Sequence, residues 1–195
     1  MASALDLIVG LGNPGAQYAR TRHNAGFWWL DRLAAQTGAA FAVESRFQGE
    51  TATTDIGGHA CRLLKPATFM NRSGRAVAGL SRYFRIPVER ILVVHDDIDL
   101  PPGTARLKQG GGHGGHNGLR DIVASLGAAD FWRLRLGVGR PGDQSAVVDY
   151  VLQTPRPEET AAIMDAVTAS LEALPRIVAG EWQAAMQVLH SLRGP

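Results

Sequence analysis

Short apolar runs alternate with segments of helical periodicity along this 195-residue chain, and that alternation constrains the fold most strongly. Leu5–Val9 and Ile91–Val94 are apolar runs typical of buried strands. Ala25–Gln36 instead carries apolar residues on one helical face and is followed by Gly38 as a stop signal. Strands that alternate with helices predict a layered α/β fold. No internal repeat or linker interrupts the pattern, so we expect a single domain over residues 1–195.

The same patterns predict the remaining elements. Further strands are expected at Phe41–Asp55 and His59–Leu64, joined at Gly57-Gly58, and at Ala105–Lys108, Leu134–Val138 and Val147–Leu152. Further helices are expected at Ser73–Arg85, at Gly118–Leu126 with Asn117 as N-cap, and from Pro157 onward with a break near Pro175.

Polar residues at the ends of these elements indicate one site assembled from several loops. Asn13 and Asp96 follow predicted strands, and ligands of open α/β sheets bind beyond the carboxyl ends of strands. The pairs His23-Asn24 and His116-Asn117 each precede a predicted helix, and Asn71 precedes another. Side chains at such junctions can reach a cleft, where they transfer protons and donate hydrogen bonds.

His23 is the strongest candidate for chemistry, because an imidazole exchanges a proton near neutral pH. Asp96 could accept a hydrogen bond from one ring nitrogen and leave the other basic. A structural alternative is a histidine at a helix start that bonds only to backbone. No G-x-S-x-G motif is present, which favours activation of water by His23 over a covalent nucleophile.

A match to the dinucleotide-binding fingerprint at Gly10–Gly15 does not indicate a nucleotide cofactor. In that motif a helix begins directly after the glycines and an acidic residue follows about twenty residues later, at the end of a second strand. Here Pro14 and a polar stretch follow, and Asp31 lies within a predicted helix. We expect the loop to present the side chain of Asn13 instead.

The glycine-rich loop Gly110–Gly118 is open to three interpretations. His113 and His116 could bind a metal ion, but they supply only two ligands and no Cys/His cluster accompanies them. Asn117 could serve only as a helix cap. Alternatively, the flexible backbone allows a bulky substrate to approach while Asn117 binds it.

Phe69 and Met70 lie between a predicted strand and a predicted helix, where Asn71 could act as a cap. An exposed Phe-Met pair would offer a stacking surface for a nucleotide base. As core residues, the two would have only a structural role.

The distribution of charge indicates a polyanionic partner. Arg62–Arg90 contains seven basic residues and one acidic residue, whereas the chain after Arg140 contains three basic and seven acidic residues. Of the 20 basic residues, only two are lysines, and arginine favours bidentate contacts with phosphate. A solvated surface rich in arginine is the alternative explanation.

The single cysteine, Cys61, excludes an internal disulfide and is expected to be a buried core residue. No basic segment followed by an apolar one opens the chain, and no apolar run reaches the roughly 18 residues of a membrane span. We therefore expect neither export nor insertion into a membrane.

Six ordered motifs between Leu5 and Tyr150 resemble bacterial peptidyl-tRNA hydrolase. They are GLGNPG followed by Tyr18, TRHNAG, KPATFMNRSG, HDDIDLPPG, KQGGGHGGHNGL and FWRLRLGVGRPGD. The resemblance implies a twisted mixed β-sheet flanked by helices and hydrolysis of the ester between a peptide and the 3′ ribose of tRNA. It also implies that no cofactor or metal is needed, and that the protein is a cytoplasmic monomer with peptidyl-tRNA as its partner.

The resemblance further assigns roles to individual residues. It makes His23 the general base, Asp96 the residue that keeps His23 basic, and Asn13 the group that separates N-blocked from free aminoacyl esters. The remaining assigned residues bind substrate: Tyr18, Phe69, Asn71 and Asn117 at the peptidyl-tRNA end, with Met70 and His116 as possible additions, and Lys108 with Arg135 as a clamp for the 5′ phosphate.

Two other functions remain open from the residues alone. A non-catalytic RNA-binding module would account for the arginines and for Phe69-Met70, but not for His23 and Asp96. An esterase for small molecules would show no salt-dependent affinity for RNA.

Overall fold

The computed structural model describes residues 4–191 and contains one seven-stranded mixed sheet flanked by helices. The strands lie in the order β2-β3-β4-β1-β5-β7-β6. Their bounds are β1 Leu7–Gly10, β2 Ala42–Glu44, β3 Gly49–Ile56, β4 His59–Pro66, β5 Ile91–Asp97, β6 Ala105–Gln109 and β7 Trp132–Gly137. The helices are α1 Ala25–Thr37, α2 Ser73–Tyr83, α3 Asn117–Leu126, α4 Val147–Val151, α5 Pro157–Val178 and α6 Trp182–His190.

The central strands are buried on both faces, which explains their continuous apolar sequences. Along β1, Ile8 joins a core cluster that includes residues of α1, α5 and α6. Its neighbours Leu7 and Val9 point to the opposite face and join a second cluster with residues of α2 and α3. Successive side chains of a strand point to opposite faces, so the sheet is covered by helices on both sides.

Strand direction determines where a site can form. β1 pairs in parallel with β4 and β5, and β5 pairs in parallel with β7, whereas the outer pairs are antiparallel. The carboxyl ends of β4, β1, β5 and β7 therefore meet at one edge of the sheet. The loops that leave this edge carry most of the candidate residues.

Several element predictions are wrong in detail. Val147–Leu152 is not a strand, because Val147–Val151 forms α4. The predicted strand Phe41–Asp55 is divided by a 3-10 turn at Ser45–Phe47. The last helical region does not break at Pro175, which lies inside α5, but after Val178. Among the described residues, no helix has both the length and the apolar composition that crossing a membrane requires.

Candidate active site

A cleft of about 650 Å³ opens at the carboxyl edge of the sheet and is lined by residues from seven separate segments. Asn13 follows β1, and Phe69 and Asn71 follow β4. Asp96 is the second-to-last residue of β5. A volume of this size is typical of a site that holds a small molecule or the end of a larger one.

The start of α1 packs directly on the strand ends, and this contact brings His23 into the cleft. Gly26 makes the approach possible, because a Cβ atom there would lie 2.4 Å from the carbonyl oxygen of Val94 and 2.5 Å from the backbone nitrogen of Leu11. Any side chain at residue 26 would push α1 away from β1 and β5. The glycine of TRHNAG thus fixes the distance between His23 and the end of β5.

His23, Asp96 and His116 form a hydrogen-bonded group at the floor of the cleft. The Nδ1 atom of His23 lies 3.0 and 2.9 Å from the two carboxylate oxygens of Asp96. The Nε2 atom of His116 lies 2.9 Å from Asp96 Oδ1. Asp96 is 2% exposed, so its charge is screened little by solvent. The carboxylate accepts N–H hydrogen bonds from both rings, which leaves His23 Nε2 as the basic atom of that ring.

His116, not Asn117, is the N-cap of α3, which corrects the sequence-based prediction. Its Nδ1 atom accepts hydrogen bonds from the backbone N–H groups of Gly118 and Leu119, at 3.2 and 3.3 Å. Because Nδ1 accepts, the proton of a neutral His116 ring resides on Nε2 and is donated to Asp96. The carboxamide of Asn117 makes no hydrogen bond with residues 4–191 and is exposed at the cleft.

Burial and charge act in opposite directions on these groups. Burial alone would raise the pKa of Asp96, but the adjacent His23 and His116 outweigh it and hold that pKa well below its usual range. Burial alone would lower the pKa of His23, but the charge and hydrogen bond of Asp96 raise it above the usual 6.5. Burial and the neighbouring His116 lower the pKa of His95 to about 4, so this ring is neutral at physiological pH.

The same three residues have the spacing of a metal site, since one ligand atom of each lies within 4.8 Å of the others. Two histidines and a carboxylate would suit zinc. However, His116 would have to ligate through Nε2 while its Nδ1 accepts two backbone N–H groups. A neutral ring that ligates a metal through Nε2 carries its proton on Nδ1, where it could not accept these two backbone N–H groups. The hydrogen bonds therefore favour proton transfer. His113 lies outside this group.

The side chain of Asn13 is buried, with one end held and the other directed at the cleft. Its Oδ1 atom accepts a hydrogen bond from the backbone N–H of Met70 at 2.7 Å. Asn24 holds the backbone of the same residue, accepting from the Asn13 N–H at 2.9 Å and donating to its carbonyl at 3.0 Å. Nδ2 of Asn13 is thus left as a fixed donor, and Asn24 has a structural role.

The predicted Phe-Met surface is divided between the cleft and the core. Phe69 is 58% exposed and lines the cleft, and Tyr18 packs edge-on against it with 6.5 Å between ring centroids. Met70 is 4% exposed, belongs to the core and only borders the cleft, so it offers no stacking face. Asn71 is exposed at the rim and does not cap α2, whose Gly74 N–H donates to Asp121.

The buried guanidinium of Arg133 anchors the glycine-rich loop. It donates to the carbonyl oxygens of Gly111 and Gly112, with 2.8 Å to the former. Burial lowers the pKa of Arg133, and the nearby Arg135 adds to that shift. The sequence patterns do not reveal this role, because they indicate a flexible glycine-rich loop and give no sign that Arg133 is buried.

Lys108 and Arg135 also line the cleft. They lie on the adjacent strands β6 and β7, where Lys108 pairs with Arg133 and Arg106 pairs with Arg135. The two cations are therefore diagonal neighbours on one face. Arg135 Nε donates to Asp97 Oδ2 at 2.7 Å, which orients the guanidinium and leaves its terminal nitrogens for an anion.

One wall of the cleft consists of apolar residues that the sequence patterns did not single out. Val148, on α4, and Leu152, which follows it, are 64% and 37% exposed. The run Val147–Leu152 reads as a strand because of its β-branched residues, and that assignment concealed a short helix with one apolar face toward solvent.

Three comparisons with known proteins identify relatives of this chain. The family model described as Peptidyl-tRNA hydrolase matches residues 7–194. The chain is 58% identical over 190 residues to the peptidyl-tRNA hydrolase of Methylobacillus flagellatus, covering 97% of this chain and 98% of that protein. It is 54% identical over 191 residues to that of Neisseria meningitidis, with 98% and 100% covered. The crystal structure of the Acinetobacter baumannii enzyme superposes with a TM-score of 0.96 at 44% identity, covering 99% and 98% of the two chains.

Proposed function

Because this chain belongs to the peptidyl-tRNA hydrolase family and hydrolyses peptidyl-tRNA, we propose that His23 is the general base and that Asp96 orients it. The observation that carries the proposal is the contact of His23 Nδ1 with both oxygens of a buried Asp96. An ester has a good leaving group, so a tuned base and a water molecule suffice without a covalent nucleophile.

The proposed reaction proceeds in two steps. His23 Nε2 accepts a proton from water as the water oxygen attacks the ester carbonyl carbon. The bond from that carbon to the 3′ oxygen of the ribose then breaks, and the imidazolium returns its proton to the departing oxygen. The products are a peptide with a free carboxyl group, which ionises in water, and a tRNA with a free 3′ hydroxyl. Asp96 stabilises the imidazolium formed between the two steps.

The carboxamides of Asn71 and Asn117 are the proposed donors to the oxyanion and to the substrate's 3′ end. Both are exposed at the cleft, and His116 already provides the helix cap that Asn117 was expected to supply. Phe69, supported by Tyr18, offers a ring face for the terminal base. Loss of one oxyanion donor typically costs about 100–1000-fold in rate.

Asn13 is the proposed determinant of selectivity for N-blocked substrates. With Oδ1 occupied by Met70, its Nδ2 can only donate. An N-blocked aminoacyl group presents a carbonyl oxygen that accepts this bond. A free aminoacyl group presents an ammonium, which is also a donor and is therefore rejected.

We further propose that Lys108 and Arg135 bind the 5′ phosphate of the tRNA and that the protein acts as a cytoplasmic monomer. Phosphate contacts are independent of sequence, so one clamp can serve every tRNA. The substrate arises at ribosomes, which supports the cytoplasmic location. Sedimentation at the 20.8 kDa of a single chain would test the assembly state.

The decisive experiment measures release of free tRNA from N-acetyl-aminoacyl-tRNA by the purified protein. The His23→Ala variant should lose at least about 100-fold in turnover and should still bind the substrate. Near-wild-type turnover of this variant would show that His23 is not the base.

A further inference from the structure

Arg22 carries a charge that is almost fully buried, directly before His23 in the chain. The residue is 5% exposed, and a buried guanidinium requires partners that compensate for the loss of water. Nη1 donates to the carbonyl oxygen of Tyr150 at 3.1 Å, and Nη2 forms an ion pair with Glu159 at 3.1 Å. The guanidinium also lies 3.9 Å from the centroid of the Tyr150 ring.

These partners belong to the apolar wall of the cleft and to the helix that follows it. Tyr150 is part of α4, and Glu159 lies in the first turn of α5. The backbone N–H of Arg22 donates to the carbonyl oxygen of Gln153 at 3.1 Å, which adds a third connection. The loop that carries the general base is thereby tied to a segment more than 125 residues away in sequence.

The wall has few means of holding its own position. α4 is five residues long, and a helix of that length is not stable by itself. Apart from the contacts with Arg22, Tyr150 is held by its hydroxyl group, which donates to the carbonyl oxygen of Val138 at 2.8 Å. Val148 remains largely exposed toward the cleft, so packing secures only one face of the helix.

We infer that Arg22 is a positioning residue that sets the distance between His23 and the apolar wall, and through it the affinity for the peptide portion of the substrate. The inference rests on the proposed function of the cleft. Arg22 makes no contact with Asp96 or His116, so its action on the substrate is exerted through α4. Apolar contacts depend steeply on distance, and a displaced wall weakens the binding of every substrate that touches it.

Steady-state kinetics of Arg22→Gln and Arg22→Lys test this inference, with N-acetyl-leucyl-tRNA as substrate. Arg22→Gln should raise KM by about 10-fold while kcat stays within about twofold, since the wall and not the base is displaced. The acidic limb of the plot of kcat against pH should stay at the same pH as in the wild type. Arg22→Lys keeps a cation beside Glu159 but loses the planar fork, so its KM should be intermediate.

Arg90→Gln is the matched control. Arg90 pairs with Asp6 at 2.8 Å and donates to the carbonyl oxygen of Ala4, and neither partner lines the cleft. Substitution of a residue that only supports the fold lowers the fraction of folded, active protein, which reduces the apparent kcat and leaves KM unchanged. The inference is overturned if Arg22→Gln and Arg90→Gln show the same KM as the wild type. Failure of the wild-type protein to cleave the substrate would instead overturn the proposed function.

Discussion

Replacement of Asp96 by asparagine is the most demanding perturbation of the proposed base, because it preserves volume while changing hydrogen bonding. His116 Nε2 can only donate, since its Nδ1 accepts from the start of α3. In Asp96→Asn the amide oxygen must therefore face His116. The new NH₂ group then takes the place of the oxygen that lies 2.9 Å from His23 Nδ1, while the amide oxygen stays 3.0 Å from that atom. The contact between two donors shifts the tautomers of His23 toward the form that carries its proton on Nε2, in which Nε2 is not a base.

The size of the effect can be worked from these contacts. Loss of a charge-assisted hydrogen bond costs about 1.5–3 kcal/mol. The lost charge adds roughly 2 kcal/mol, half of the 4 kcal/mol expected for a full charge pair at about 4 Å, because the imidazolium is only partly formed in the transition state. We therefore expect kcat to fall about 1000-fold in Asp96→Ala, which loses both contributions. Asp96→Asn also loses the charge and in addition places a donor beside His23 Nδ1, so its kcat should fall further.

Single-turnover release of tRNA from N-acetyl-aminoacyl-tRNA, followed from pH 5 to 9, measures both variants. In the wild type the pKa of His23 is raised, so activity is lost as the pH falls through that raised value. Without the charge of Asp96, the acid limb should move to lower pH in both variants. Thermal unfolding and tRNA binding serve as controls for folding. If Asp96→Ala is as slow as Asp96→Asn while both variants are folded, the argument from tautomers is refuted.

Three further outcomes are expected. Asn13→Ala should narrow the rate ratio between N-acetyl-aminoacyl-tRNA and aminoacyl-tRNA, and an unchanged ratio would remove Asn13 from that role. The double variant Lys108→Ala, Arg135→Ala should bind tRNA more weakly, and its slope of log affinity against log salt should be shallower by roughly 0.7–0.9 per lost phosphate contact; an unaltered slope would place the tRNA footprint elsewhere. The pKa of His95 is lowered to about 4, so the free energy of unfolding should fall by about 1.4 kcal/mol per pH unit as the pH falls from 6.5 to 4. In His95→Gln the free energy of unfolding, measured by urea titration, should depend less on pH over this range than in the wild type.

The layered fold could be predicted from the sequence because the central strands are buried on both faces. Such strands are nearly uniform in their apolar character, and Leu7–Val9 and Ile91–Val94 show this. An apolar run does not identify a strand reliably where the segment is only partly buried. Val147–Leu152 is rich in β-branched residues, yet only Val151 is buried, and the segment forms a helix whose position depends on distant contacts.

The sequence predicted which residues lie at the candidate site, but not which structural role each of them has. The sequence placed a histidine and an asparagine together before α3 and favoured the asparagine as cap, as residue preferences do. The structure reverses the two roles, because Asp96 holds the His116 ring in the orientation that caps the helix. Arg22 and Arg133 were missed for a related reason. A buried arginine cannot be distinguished from a surface arginine without knowledge of the carbonyl groups it will meet.

The proposed contacts share one property that explains how a single cleft can serve many substrates. In the proposed complex, Asn13 donates to a backbone carbonyl oxygen of the substrate, and His23 activates the water that attacks the ester. Lys108 and Arg135 bind a phosphate. Each of these groups is present in every peptidyl-tRNA. The parts of the substrate that vary meet only the apolar wall around Val148, where contacts are not directional. In the proposed complex the peptide end occupies the cleft of about 650 Å³, and the tRNA contacts Lys108 and Arg135, which line the same cleft. In this proposal, selectivity for peptidyl-tRNA depends on recognition of both the peptidyl 3′ end and the 5′ phosphate of the tRNA. A substrate that lacks either group forms only part of these contacts.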